Sequence, residues 1–374
     1  MSDFLSGNRT TFDGAGNDVL LDLRDGLDFL NPRNDGIGLL KMLGLSGITP
    51  TSTKHEWTET ALATRRETVT LADGSGTTLT VANAKQYQVN DLIRIEAEIV
   101  RVTAIASATT LTIVRGYAGT TGAAHSAKTA VPLGSADPEN SAAPAGISDD
   151  GDRLYNYVQT FTRAVDLSND EIAAASTDGN PLTGQVERRY IEFMRLIASS
   201  MFNGVRYNDT TNKLRVMGGL KQFVTTNVTN VAGALAISNI DAQILAIVQA
   251  GADPGLIVTS PYQKQKLDAL DANKQYLGKS EHTGGNLVTN TWQSGVLDHP
   301  LPVMVDQTIA NDELWILTPD MIKLGCLSRN GVVGTPHVED ATTPGQDGKK
   351  RVMRAKVTME VVQQKAHGYL YGLS

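Results

Sequence analysis

The sequence predicts an α+β protein in which an all-β segment precedes one long helix and a mixed α/β region. Three observations support this fold class. Short runs with β-branched residues at every second position lie between Glu67 and about Leu133. An amphipathic helical pattern of about six turns covers residues 182–203. Strand and helix patterns then alternate after residue 229. Segregated strands and helices are typical of the α+β class.

Composition limits the function classes. The chain has 374 residues, of which 41% are hydrophobic and 20% are charged, as in ordinary globular proteins of two or three domains. Its formal net charge of −7 argues against a protein whose main task is to bind nucleic acid phosphates. Cys326 is the single cysteine, which excludes an intrachain disulfide and a thiolate metal cluster. No window approaches 18 apolar residues, so we expect no membrane contact.

Residues 1 to about 50 are interpreted as an arm, because polar, glycine-rich pieces alternate there with short apolar clusters. The piece Gly14–Leu23 resembles one turn of a calcium-binding β-roll. One copy cannot build such a roll, since each repeat buries its face only against its neighbours. A simple turn without calcium is therefore predicted.

The all-β segment is predicted to form a small barrel or sandwich. Its strands are TVTLA, TLTVA, LIRIE, IVRVTAI and TLTIVRG, separated by Gly, Asp or Asn turns. A local core is expected from the apolar alternation; its members are Ile93, Ile95, Val100, Val102, Leu111 and Ile113. Residues 134–152, rich in Ser, Ala, Pro, Gly and Asp, indicate a connector.

The stretch Leu111–His125 raises the question of a nucleotide site, because glycines recur after a strand at Gly116, Gly119 and Gly122. A phosphate-binding loop requires a lysine after the glycines and then a helix. Neither follows here. The stretch therefore predicts a long turn between strands, with His125 as a hydrogen-bonded loop residue.

The rest of the chain supplies the helices. Arg153–Ser168 is predicted as one long strand, and the long helix has apolar positions at steps of three and four that end before Gly204. Ser238, with Asp241 as its capping partner, is predicted to begin a helix that runs through Ala250. A buried strand at Leu256–Ser260 and a helix from Pro261 to about Leu270 follow. Later strands are expected at PVMVD, ELWILT and KVTMEVVQQ.

Catalytic and metal-binding motifs occur only as near misses. Asn273–Ser280 ends like a phosphate-binding loop but lacks its first glycine, and His55 begins a zinc-peptidase pattern in which Glu59 replaces the second histidine. The six histidines show no metal-ligand spacing, and the acidic run at Asp149, Asp150 and Asp152 lacks the other ligands of a calcium loop. No Gly-x-Ser-x-Gly elbow is present. We predict no catalytic, cofactor-binding or metal-binding residues, and no enzyme activity.

The order of these parts resembles the major capsid proteins of tailed bacteriophages with the HK97 fold, and more closely a subfamily that carries a β-module in the extended loop. The resemblance covers nearly the whole chain from about residue 30. Its most similar stretches are STKHEWTETAL, VNDLIRIEAEIVRVTAI, NYVQTFTRAVDLS, YIEFMRLIASSMFNG, GLIVTSPYQKQKLDAL and TMEVVQQKAHGYLYG.

The resemblance implies an HK97-like domain organisation. The expected parts are an N-terminal arm (1–50), an extended loop (51–152) with the β-module at about 68–133, a peripheral domain (153–228) with a spine helix at about 182–203, an axial domain (229–312), and closing strands of the peripheral domain (313–374).

The implied function is self-assembly, as hexamers and pentamers, into an icosahedral shell that encloses packaged phage double-stranded DNA. The implied location is the virion, after assembly in the host cytoplasm. A separate scaffolding protein, or a segment already cleaved, is expected because no long charged extension precedes the arm. A portal and a decoration protein are further expected partners, with only loose contact to DNA.

Two other readings remain open at this point. A tail or baseplate protein would share the β-module but would not need the long helix and the α/β region. A carbohydrate-active enzyme would need a convergent acid pair, for which Asp306 and Glu313 are only unassigned candidates. The family prototype joins its subunits through a lysine–asparagine bond. Lys54, Lys85 and Lys128 lie near the extended loop, but no signature identifies an acceptor, so this cross-link is not expected.

Overall fold

The computed structural model describes residues 37–60, 67–141, 151–174, 181–270, 275–279 and 288–374. Within these ranges the helices are α1 (Gly38–Leu43), α2 (Asn169–Ala173), α3 (Pro181–Asn203), α4 (Leu220–Phe223), α5 (Ile237–Gln249) and α6 (Pro261–Ala269). The strands up to α3 are β1 (Lys54–Glu59), β2 (Glu67–Leu71), β3 (Thr78–Thr80), β4 (Asp91–Ile95), β5 (Glu98–Ser107), β6 (Thr110–Val114), β7 (His125–Ser135), β8 (Asp152–Tyr157) and β9 (Gln159–Ser168).

The strands after α3 are β10 (Tyr207–Asp209), β11 (Leu214–Val216), β12 (Val228–Gly233), β13 (Leu256–Thr259), β14 (Gln275–Lys279), β15 (Val288–Trp292), β16 (Leu301–Val305), β17 (Leu314–Leu317), β18 (Ile322–Cys326), β19 (His337–Asp340), β20 (Gly348–Val361) and β21 (Gly368–Leu373). Within the described ranges, no helix is long and apolar enough to cross a membrane.

The β-module is a barrel-like sheet with the strand order β2-β7-β4-β5-β6-β3. All six residues predicted for its core are buried together in one cluster, so the predicted local core is confirmed. The predicted strands are also confirmed, but β7 is an addition. The turn after Gly122 leads into this eleven-residue strand, which pairs with both β2 and β4. Sequence reasoning missed β7 because Pro132 and Gly134 interrupt its alternation at a bulge.

The long helix α3 packs against a small sheet in which β20 is central. One edge of β20 pairs with β9 over ten residues, and its other edge pairs with β18 and β19. Alternate residues of β20 point toward α3 and join its buried residues in one core, among them Phe193, Ile197 and Met353. The predicted helix is confirmed, and it ends at Asn203 as the Gly204 signal indicated.

A larger sheet has the order β12-β21-β17-β13-β16-β15-β14 among the described residues, with α5 and α6 beside it. Its core is a cluster distinct from that of the barrel. Two closing strands lie here: β17 and β21 pair with each other, and β17 also pairs with β13. The other closing strands, β18, β19 and β20, belong to the small sheet.

Two local predictions are wrong. Arg153–Ser168 is not one strand: β8 pairs with β1, whereas β9 pairs with β20, and the chain passes between the two sheets at Val158. The buried positions change phase at this break, from Asn156 and Val158 to Phe161 and Val165, but no glycine or proline marks it in the sequence. Ser238 lies inside the first turn of α5 and does not cap the helix. The N-cap residue is Ala236, whose side chain makes no capping hydrogen bond. Asp241 accepts a hydrogen bond from Ser294 (2.7 Å).

Candidate assembly surfaces

A buried amide is one of the contacts that fix β1 and β8, the paired strands on either side of the barrel in sequence, to the body. The Nδ2 atom of Asn156 donates to the carbonyl oxygens of Met359 (2.7 Å) and Gly218 (3.1 Å), and its Oδ1 accepts from the Gly218 N–H (2.8 Å). One side chain thereby joins the loop to β20 and to the segment before α4. Sequence reasoning missed Asn156, for which the only signal is a polar amide between two tyrosines in a strand.

His55 and Glu59, the residues that resemble a zinc-peptidase motif, both lie on β1 and make structural contacts there. His55 lies 3.0 Å from a carboxylate oxygen of Glu360 on β20. Glu59 accepts hydrogen bonds from the Trp57 indole (2.7 Å) and from the backbone N–H of Gln363 (3.0 Å). These contacts attach the outgoing strand of the loop to the end of β20.

The glycine-rich turn surrounds a buried carboxylate of its own chain. Glu98, which is 1% exposed, receives two hydrogen bonds of 2.7 Å from the Arg115 guanidinium. It also accepts from the backbone N–H groups of Gly116 (3.0 Å) and Ala123 (3.1 Å). His125 lies 2.9 Å from the same carboxylate. The N–H groups that could face a phosphate therefore face Glu98.

Two of the glycines meet backbone requirements of this turn. Gly116 has a φ of 59°, in the left-handed region that favours glycine. A Cβ atom at Gly122 would lie 2.5 Å from the carbonyl oxygen of Gly74, which is too close for any side chain. These positions explain the glycine pattern as a tight turn closed by Glu98 and Arg115.

The Glu98 cluster predicts a specific acid sensitivity. Burial opposes ionisation of Glu98, but Arg115, the N–H groups of Ala123 and Gly116, and His125 together lower its pKa from 4.5 to about 2. A carboxyl with a lowered folded-state pKa stabilises the fold above its unfolded pKa, and this contribution is lost as pH falls from about 4.5 through about 2.

We therefore expect Glu98→Gln to destabilise the unassembled subunit at neutral pH, by about 3–5 kcal/mol for a buried pair that loses one charge. As the pH is lowered from 4.5 to 2, the difference in melting temperature between Glu98→Gln and wild type should shrink, because wild type loses the contribution of ionised Glu98. Glu96→Gln is the matched control, because Glu96 also contacts His125 (3.0 Å) but is exposed. An equal effect of both substitutions would contradict the role given to Glu98.

The described histidines do not form a metal-binding group. The structure places His125 in the barrel, His55 on β1, and His367 buried beside β21, where burial lowers its pKa to about 4 against a weaker opposing effect of the Val362 backbone. His282 lies outside the described residues, as do Asp149, Asp150 and Gly14–Leu23. Among the described residues, no three His, Cys, Asp or Glu side chains are grouped to hold a metal ion.

The two candidate acids have separate structural contacts. Asp306 is buried and accepts from the backbone N–H of Leu39 (3.2 Å), which ties α1 to the end of β16. Glu313 pairs with Lys221 at 2.6 Å. The structure gives these two acids different partners, so they do not support the carbohydrate-active reading.

Other motif residues lie in regular structure or ion pairs. Gln275–Lys279, within the segment that resembles a phosphate-binding loop, is strand β14, paired with β15. Asp152 lies on β8 opposite Glu59. Lys54 contacts Glu56, Lys128 lies 2.6 Å from Glu96, and Lys85 is exposed near the barrel.

Comparison with known proteins agrees with this structure. In solved structures, the chain is similar to the capsid of a native GTA particle (12% identity, TM-score 0.50, covering 99% of this chain and 100% of that chain). It is also similar to Microbacterium phage Oxtober96 (12% identity, TM-score 0.51, covering 98% of this chain and 99% of that chain). These likenesses confirm the predicted HK97-like fold. No curated protein sequence matches the chain.

A family model gives the more specific assignment. It is described as the SU10 major capsid protein and matches residues 5–374. This match covers nearly the whole chain, including the barrel, α3 and both body sheets. The chain therefore belongs to the SU10 major capsid protein family, and it is a shell-forming capsid protein of the virion.

Proposed function

We propose that this capsid protein assembles, as hexamers and pentamers, into an icosahedral shell around packaged double-stranded DNA, and that it catalyses no reaction. The family match over residues 5–374 is the observation that carries this proposal. The geometry is compatible with it, because the buried ionised cluster around Glu98 contacts the backbone of its own chain rather than an open cavity.

We further propose a division of roles among the parts of the chain. The extended loop (51–152) would carry the barrel away from the body, since the barrel core is a cluster of its own and β1 with β8 forms a separate two-stranded base. The peripheral part would centre on α3 with the small sheet, and the axial part (229–312) on the large sheet. The arm (1–50) would lie on neighbouring subunits.

The proposed partners beyond further copies of the chain are a separate scaffolding protein, a portal and a decoration protein. Contact with DNA would be loose, because a net charge of −7 does not favour tight binding to phosphates. Assembly would take place in the host cytoplasm before DNA is packaged.

Assembly is directly testable. Purified protein, alone at high concentration or with its scaffolding protein, should sediment as capsomers or shells, and negative-stain microscopy should show closed particles. Tubes or stacked rings would favour the tail or baseplate alternative. A strictly monomeric species under every condition would contradict the proposed function.

A further inference from the structure

The hairpin formed by β10 and β11, directly after α3, has its apolar side turned outward. Tyr207 lies opposite Val216, and Leu214 lies opposite Asp209, so the two large residues share one face with Val205. Val205, Tyr207 and Leu214 are 62%, 59% and 58% exposed. Three large hydrophobic side chains on one small hairpin form a contiguous apolar patch, which typically marks an interaction surface.

The hairpin is held at both ends, by Arg206 just before β10 and by Asp209 at the turn. Arg206 donates to the carbonyl oxygen of Tyr155 (2.8 Å), and its guanidinium lies 4.1 Å from the centre of the Tyr155 ring. At the turn, Asp209 accepts from the backbone N–H groups of Thr211 (2.9 Å) and Asn212 (3.0 Å). The patch is thus presented on a well-held hairpin, which lowers the entropy cost of binding.

A shallow, open apolar groove lies beside the first half of α3. Its volume is about 520 Å³, and it is lined by Val186, Tyr190 and Ile191 of the helix and by Val338 of β19, with exposed Glu187 at its rim. The fully buried residues of α3 begin only at Phe193. Among the described residues, the groove continues the apolar face of α3 beyond its buried part, since Val186 and Tyr190 also pack against the core.

The hairpin cannot occupy the groove of its own subunit. Tyr190 and the end of α3 at Asn203 are about 20 Å apart at 1.5 Å per residue, and Arg206 holds the hairpin at that far end. Patch and groove thus lie at opposite ends of one rigid helix. Contacts of this head-to-tail kind, repeated between copies, generate closed rings and lattices.

We infer that the β10–β11 hairpin of one subunit binds the α3–β19 groove of a second copy of this chain. Leu214 and Tyr207 enter the groove, and the exposed cation Lys213 at the turn beside Leu214 faces Glu187 at the rim. The opposite charges at the two sites favour this orientation. This inference rests on the shell assembly proposed above and identifies one of its subunit contacts.

Disulfide trapping tests this contact on assembled particles. A Leu214→Cys, Val338→Cys double variant should give a ladder of covalent oligomers on a denaturing gel after mild oxidation. The native Cys326 should stay silent, because it is buried and burial raises its thiol pKa to about 11. The matched control is Leu214→Cys with Ile105→Cys, whose second site is equally exposed but lies on the barrel.

Each result of this experiment is decisive. A ladder that needs both Leu214→Cys and Val338→Cys supports the inference. Dimers from Leu214→Cys alone would mean that two hairpins contact each other, which overturns the inference. Particles that form without a ladder would also overturn it, although shell assembly itself would stand. Cross-linking of Val338→Cys to a scaffolding protein, or to residues 1–36 bearing an added cysteine, would also overturn it.

A substitution at the hairpin gives an independent readout. Leu214→Asp should leave the subunit folded by circular dichroism, because Leu214 is exposed in the single chain, but should reduce the yield of particles at least tenfold. Normal particle yield from this variant would overturn the inference, whereas absence of particles from the wild-type chain would instead contradict the proposed function.

Discussion

Replacing Ile197 with Asp is expected to leave the subunit insoluble and to abolish shells. Ile197 lies in the middle of α3, is 0% exposed, and belongs to the core shared by α3 and the small sheet. Truncation of such a residue to Ala costs about 2–5 kcal/mol, and a buried carboxyl adds its own desolvation penalty. Total stabilities are only about 5–15 kcal/mol, so this domain should unfold. Solubility, circular dichroism and electron microscopy measure the effect.

The adjacent residue supplies the control. Leu196 is 38% exposed, so Leu196→Asp introduces the same carboxyl into the same turn of α3 without burying it. We expect Leu196→Asp to remain soluble and helical, with a change in stability of at most about 1 kcal/mol. A soluble Ile197→Asp protein that forms shells would show that the core does not depend on this face of α3.

Replacing the barrel, residues 67–135, with a short Gly-Ser linker is expected to remove the shell but not the folded body. The barrel core is a separate cluster whose apolar members come only from Val69 to Ala130. Its charged cluster is internal as well, because Glu98, Arg115 and His125 contact one another. Deletion therefore removes few contacts from the two body sheets.

Calorimetry and circular dichroism of both proteins measure this effect. The shortened protein should keep the helical signal and a cooperative unfolding transition, while its particles form poorly or fall apart at lower temperature. Asn156→Ala is an informative comparison, since it leaves the barrel intact but removes the amide that joins the loop base to Gly218 and Met359. Unfolding of the whole subunit on barrel replacement would contradict the independence of the barrel core.

Local patterns in the sequence determined much of the fold. The barrel core residues alternate at period two and α3 repeats at steps of three and four, so the burial of Ile93 or Ile197 follows from its spacing to neighbours along the chain. The order of such elements was also enough to indicate an HK97-like capsid protein. Near misses such as Asn273–Ser280 could be set aside because the required neighbours in sequence were missing.

Only the tertiary structure decided which distant groups meet. No glycine or proline interrupts Arg153–Ser168, yet its halves pair with β1 and β20, because a strand pattern encodes the two faces of a strand and not its partner. Glu98 closes the glycine turn from another strand, Asn156 joins residues far apart in sequence, and Arg206 fixes the β10–β11 hairpin to Tyr155. These contacts depend on how separate elements pack. No spacing along the chain records them, since each joins side chains and backbone groups that the fold alone brings within hydrogen-bond distance.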